Sequence, residues 1–96
     1  MAYKFEKLDV WKASLEYLDD IYRVTGLLPK REEYNLKSQM TRAATSISLN
    51  IAEGSTSHTN KHQINYLRTA IGSLLETVAC IHIIKRRGYL SEDEQL

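Results

Sequence analysis

An all-α helical bundle is the fold class this sequence predicts, on three observations. Apolar residues recur in steps of three and four at Leu36, Met40, Ala44, Ile47 and Ile51, which places them on one helix face. Similar spacing returns at Ile64, Leu67, Ile71, Leu74, Val78 and Ile81, a seven-residue repeat held for more than two heptads. The chain also lacks β-branched alternation and holds a single proline. Its 96 residues make one domain, near the lower end of what buries a core unaided.

The first helix is expected over about residues 8–25. Leu8, Trp11, Leu15, Leu18 and Tyr22 form its apolar row, and Val10, Tyr17, Ile21 and Val24 broaden it. Gly26 is placed to supply a left-handed stop. Pro29 punctuates the connection, and Glu32 and Glu33 suit the positive end of the next helix. That second helix spans about 31–53, or starts at Leu36 with Asn35 as its cap, and ends at Gly54. Ser55 to Thr59 is a polar loop. Asn60 followed by Gln63 resembles a capping box opening a third helix over 60–87. At 1.5 Å per residue this helix is about 42 Å long, with Lys85, Arg86 and Arg87 at its negative end and Gly88 as its stop. Ala70, Thr77 and Ile84 flank its heptad row on one side, and Leu75, Ala79 and Ile83 extend it on the other. Ser91-Glu-Asp-Glu94 is a second capping box, so a fourth helix begins near residue 91. Three broad apolar faces leave a groove where that fourth helix, or a partner, belongs.

The second helix carries an unusual polar stripe. Gln39, Arg42 or Ala43, Ser46, Asn50 and Glu53 lie one position out of phase with its apolar row. A solvated face ordinarily carries Lys and Glu, whereas this one is rich in amides and hydroxyls. Such groups suit a helix contacted by protein on two sides, where polar atoms need fixed partners. Arg42, Asn50, Glu53 and Glu76 are expected to form a polar network between the second and third helices, because buried charges need partners. Reading Glu53 and Glu76 as a catalytic pair finds no accompanying nucleophile or Gly-rich pocket, so no enzyme is predicted and no cofactor is implied.

Net charge is only +1, but residues 36–90 hold seven Lys and Arg against two acids. Lys85, Arg86 and Arg87 either complement a helix C-terminus or, repeated around a ring of copies, build a field that phosphates feel. Lys61 and Arg68, seven apart on one face, extend that patch, and Lys37 joins it from the second helix. These six are the candidate contacts to RNA or DNA. Aromatic residues interleave poorly with them, which argues against single-strand stacking. His58 and His62 have the spacing of a metal pair, but His58 precedes the cap, so both read as solvated loop residues and no metal is predicted. His82 lies mid-helix and reads as an interface residue. The lone Cys80 has apolar neighbours at helical spacing and reads as buried filler in a reduced, cytoplasmic protein. The first six residues lack a signal-peptide core, and no apolar run approaches the roughly 20 residues that span a bilayer.

Several motifs together resemble one bacterial family. They are Phe5-x-x-Leu8-x-Val10-Trp11, Leu28-Pro29 with Glu33, and the run from Gln39 through Arg42-Ala43-Ala44, Ser46-Ile47 and Asn50-Ile51-Ala52-Glu53-Gly54. Tyr66-Leu67, Ala70, Gly72-Ser73-Leu74, Glu76 and Gly88-Tyr89-Leu90 complete the pattern. Over nearly the whole chain this is similar to the four-helix bundle proteins encoded within intervening sequences of 23S ribosomal RNA genes. The resemblance implies an up-down-up-down antiparallel four-helix bundle, with the fourth helix only begun in this chain, assembled as a barrel-shaped homopentamer. The chain is also similar to the accessory proteins of diversity-generating retroelements, whose basic barrel binds nucleic acid and the reverse transcriptase. By that likeness the expected partners are further copies of itself, RNA or DNA, and a nucleic-acid-processing protein, with no membrane. Ser48 stands where many relatives have proline, which predicts a straighter second helix. The expected role is a non-enzymatic scaffold touching nucleic acid without base readout; the alternative is a pure protein-interaction module that docks a partner helix.

Overall fold

A computed structural model describes residues 3–94, and among them every regular element is helical. Three α-helices follow a short 3-10 turn at Lys4–Lys7: α1 (Asp9–Thr25), α2 (Leu36–Thr56) and α3 (Asn60–Arg87). The molecule is elongated, 44 × 24 × 20 Å, its long axis set by α3. Further 3-10 turns lie at Lys30–Glu32 and Glu92–Glu94. The anticipated fourth helix is therefore a single turn within the described residues, and its continuation into 95–96 lies outside them.

Two apolar clusters fix an up-down-up course. One joins Ile21 and Val24 of α1 to Leu36, Met40 and Ala44 of α2 and to Cys80 and Ile84 of α3. The other gathers Ile47, Ile51 and Ala70, with Trp11 and Tyr17 packed against them. The end of α1 thus meets the start of α2 and the end of α3, so neighbours run antiparallel. The α2 row expected to be interior is buried throughout: Leu36, Met40, Ala44, Ile47 and Ile51 are all 7% exposed or less.

On α1 the buried face is turned from the expected row. Ser14, Ile21, Val24 and Thr25 are buried, whereas Tyr22 is 55% exposed. A serine inside this face needs a partner, and it has two. Ser14 Oγ donates to the Trp11 carbonyl at 2.6 Å, which leaves Ser48 Oγ to donate to Ser14 across the α1–α2 contact at 2.9 Å. Ser48 is thus one half of a helix-to-helix hydroxyl bond. Tyr17 reaches farther: its hydroxyl donates to Thr77 Oγ1 of α3 at 2.7 Å, while Thr77 itself donates to the Leu74 carbonyl.

The glycines divide by task. Gly88 caps α3 at φ 70°, the left-handed conformation expected of it. Gly26 stays right-handed at φ −65°, and α1 ends instead in a turn with Leu27 and Leu28 donating to the Val24 and Thr25 carbonyls. Gly54 does not end α2, which runs on to Thr56. It lies beneath the first turns of α3, where an added Cβ would stand 3.1 Å from Cβ of Tyr66. The cap of α3 is Thr59 rather than Asn60, its hydroxyl accepting from the His62 amide at 3.2 Å.

One end of the bundle is closed by a polar clamp. Glu32 is buried and accepts from the Tyr89 hydroxyl at 2.7 Å and from Asn35 Nδ2 at 2.9 Å. Arg31 and Arg87 both lie over the Tyr89 ring, 5.4 and 6.0 Å from its centre. The tyrosine hydroxyl first, then the asparagine amide, hold the Glu32 carboxyl below its ordinary value. The stabilisation is therefore complete above the ordinary carboxylate range and lost as pH falls through the lowered folded value.

Two measurements check these assignments. The thermal midpoint of the wild type is expected to fall as pH is lowered through and below the ordinary carboxylate range, and Glu32→Gln to flatten that slope; a slope unchanged in the variant would remove Glu32 from the clamp. Gly72 has open space around its missing Cβ, so Gly72→Ala should raise stability of the free chain by about 0.5–1 kcal/mol. Gly54→Ala should lower it, both read by chemical denaturation.

Candidate interaction surface

The α2–α3 contact is built from small side chains on α3. Ala70, Cys80 and Ile84 are buried in clusters shared with α2, and Thr77 is buried on the same face of α3. Each residue advances a helix by about 100°. The heptad row of α3 is therefore rotated roughly a quarter turn from the face that packs on α2. That row is largely open to solvent: Ile64, Leu67, Ile71, Leu74 and Val78 are 39–57% exposed, and Leu75 is 62% exposed. Only Ile81, at the closed end, packs partly against the core.

Part of this band lines a groove of about 290 Å³ between α1 and α3. Val10 and Ala13 form one wall, Leu67, Ile71 and Leu74 the other, and Ile47 and Ile51 the floor. Tyr17 and Thr77 cross it as the one hydrogen bond joining α1 to α3 among the described residues. The band also makes α3 long and apolar enough, by length and composition, to cross a membrane, with mean hydropathy 1.4 over its best 18 residues. That differs from the sequence expectation, which counted unbroken apolar runs and not the average. Glu76 and the hydroxyls of Ser73 and Thr77 still give this helix a polar side.

The polar network expected between α2 and α3 is smaller than its sequence pattern. Ser46 accepts from Ser73 Oγ at 3.0 Å and from Asn50 Nδ2 at 2.9 Å, and those three half-buried residues are its core. Gln39, Arg42, Glu53 and Glu76 are all exposed. No Arg42–Glu76 pair forms; the ion pair present among the described residues is Lys37–Glu33 at 3.2 Å. The cause is again rotation: with Thr77 turned into the α2 contact, its neighbour Glu76 is swung about 100° out of it. Along the outer face of α2 lies a shallow hollow of about 460 Å³, bordered by Tyr22, Arg42, Ser46, Leu49, Asn50 and Glu53.

The six candidate nucleic-acid contacts do not gather. Lys37 is engaged by Glu33, and Arg87 lies over Tyr89. Lys61, Arg68, Lys85 and Arg86 are exposed. Lys61, Arg68 and Arg86 share one edge of α3, beside the apolar band, but the first and last stand about 38 Å apart along the helix. His58, His62 and His82 are exposed, and no metal-binding cluster of three His, Cys, Asp or Glu occurs among the described residues. Cys80 is a free buried thiol, and its desolvation, with Glu76 nearby, pushes its pKa up, so it is not poised as a nucleophile. The sequence reading missed the pairs Ser14–Ser48, Tyr17–Thr77 and Glu32–Tyr89. Its one usable signal was a hydroxyl residue at an apolar position, as at Ser14 and Thr77.

No curated protein matches the chain. A family model described as 23S rRNA-intervening sequence protein matches residues 6–96. That span takes in all three helices, the closing clamp and both the apolar band and the polar stripe, and the chain therefore belongs to the 23S rRNA-intervening sequence protein family.

Proposed function

We propose that the protein is a non-enzymatic, homo-oligomeric helical scaffold of the cytoplasm, pentameric by its family resemblance, whose basic side chains contact RNA or DNA without reading sequence. The exposed apolar band of α3 is the observation that carries this reading. An apolar face of that extent marks a surface built to be covered. Each large side chain buried there contributes on the order of 1.5–3 kcal/mol. A fourth helix completes the bundle by lying in the α1–α3 groove, antiparallel to α3. The turn that would lead into it is capped, with the Ser91 amide donating to Glu94 Oε1 at 2.9 Å. Arg23, in the last turn of α1, reaches the Glu94 carbonyl at 3.5 Å, which sets this turn at the end of α1 opposite the groove-lining Val10 and Ala13.

Lys61, Arg68, Lys85 and Arg86 supply the phosphate contacts, and repetition around an assembly brings together charges that one chain keeps apart. The dispersal of those charges within one chain favours a second reading, a pure protein-interaction module docking a partner helix with no nucleic-acid role.

Light scattering on the full chain is expected to give a multiple of the 11.1 kDa chain mass, and a monomer at every concentration would reject the scaffold. Fluorescence anisotropy with a structured RNA is expected to show binding at about 50 mM salt that is largely lost by about 200 mM. Replacing Lys61, Arg68 and Arg86 with Gln should flatten the salt dependence by up to about 0.9 in logarithmic slope for each phosphate contact removed. No binding at the lower salt would leave the protein-interaction reading.

A further inference from the structure

Near its start the chain interleaves aromatic and basic side chains: Tyr3-Lys4-Phe5, then Lys7, then Trp11-Lys12. The fold turns that alternation into a row of rings. Tyr3 and Phe5 lie nearly parallel, 12° apart in plane and 5.9 Å between ring centres. Phe5 in turn meets Trp11 of α1 edge to face at 5.0 Å. Phe5 and Trp11 are half-buried and seal the foot of the bundle, whereas Tyr3 extends past them, 55% exposed. With one face resting on Phe5, its outer face is open. Lys4, Lys7 and Lys12 are all exposed. The two acids of this segment have local roles. The Glu6 carboxylate accepts from the Tyr3 amide at 2.8 Å, and Asp9 stands in the first turn of α1, at its positive end. Lys4 borders a hollow of about 250 Å³ together with Gly54, Ser55 and Gln63. The row therefore sits at the end of the bundle where α3 begins, close in sequence to Lys61.

We propose that this aromatic row binds single-stranded nucleic acid, an unpaired base stacking on the outer face of Tyr3 while the three lysines take neighbouring phosphates. Every base has a π face, so such a platform tolerates any sequence, and the flanking cations add affinity that salt weakens. A duplex keeps its bases within its own stack and offers the row its phosphates alone. The inference rests on the reading of the protein as a nucleic-acid binder. It adds a contact that Lys61, Arg68, Lys85 and Arg86 do not supply, because no exposed ring lies among them in the chain.

Fluorescence anisotropy of the full chain tests it with oligouridine RNA and oligothymidine DNA of about 12 nucleotides. A blunt RNA duplex is the comparison, all at about 50 mM salt. The row touches bases and phosphates, so both single strands are expected to bind, and more tightly than the duplex. Tyr3→Ala is expected to weaken single-strand binding by about five- to a hundredfold and to leave duplex binding unchanged. Tyr3→Phe keeps the ring and is expected to bind as the wild type does. Trp11 is the one tryptophan of the chain, and its emission is expected to change with the single strands and not with the duplex. Tyr3 lies outside both apolar clusters, and circular dichroism of Tyr3→Ala is expected to match the wild type. Single-strand binding that survives Tyr3→Ala, or its absence in a wild type that still binds structured RNA, overturns the stacking site alone. A wild type that binds neither overturns the nucleic-acid reading and this site with it.

Discussion

The close seam between α2 and α3 is the constraint on which the rest of the molecule depends. Ala70, Thr77 and Cys80 put little bulk between the helices. Once α3 is seated by that face, every other residue on it is placed by rotation. The heptad row swings toward α1 and solvent, and Glu76 swings the opposite way, out of the polar stripe. A bulky residue at 70 or 77 would push the helices apart, and off-rotamer packing in such seams costs about 1–3 kcal/mol. The seam is small so that the broad apolar face remains available for something else.

Polar groups inside the bundle are few and each is matched. No buried side-chain nitrogen or oxygen among the described residues lacks a partner. Ser14 with Ser48 registers α1 on α2, and Tyr17 with Thr77 registers α1 on α3. The Glu32–Tyr89 bond ties the α1–α2 connection to the segment after α3. Each bond adds modest stability, about 1 kcal/mol. Their larger effect is on register, since sliding one helix by a residue would strand a desolvated hydroxyl or carboxylate. Tyr17 touches both apolar clusters and so couples the two halves of the core.

The candidate surfaces were legible to different degrees. The stripe Gln39, Arg42, Ser46, Asn50, Glu53 is one face of a helix by spacing alone, and so it stands. What spacing does not report is whether the face opposite each member is protein or water. Ser46 finds Ser73 of α3 and Asn50 bonds back to Ser46, but Arg42 and Glu53 are exposed to solvent. The basic candidates separate for a similar reason. Lys37 lies one turn after Glu33, and Arg87 lies near a tyrosine that follows the helix stop. Both local partners were visible in the sequence, although only the fold shows which of several nearby groups each cation takes.

Helix existence, approximate length and the interior row of α2 follow from the chain itself, because period and caps are local properties with local causes. Gly88 belongs with them: a left-handed stop after a basic turn needs no neighbour to specify it. The tertiary structure alone decided which of two plausible stripes on α3 enters the core, why Gly54 is needed within a helix and not at its end, and which hydroxyls meet across the bundle. Those outcomes depend on how closely α2 and α3 approach. That distance is set by side-chain volumes on both helices at once, a quantity no single helix carries in its own sequence.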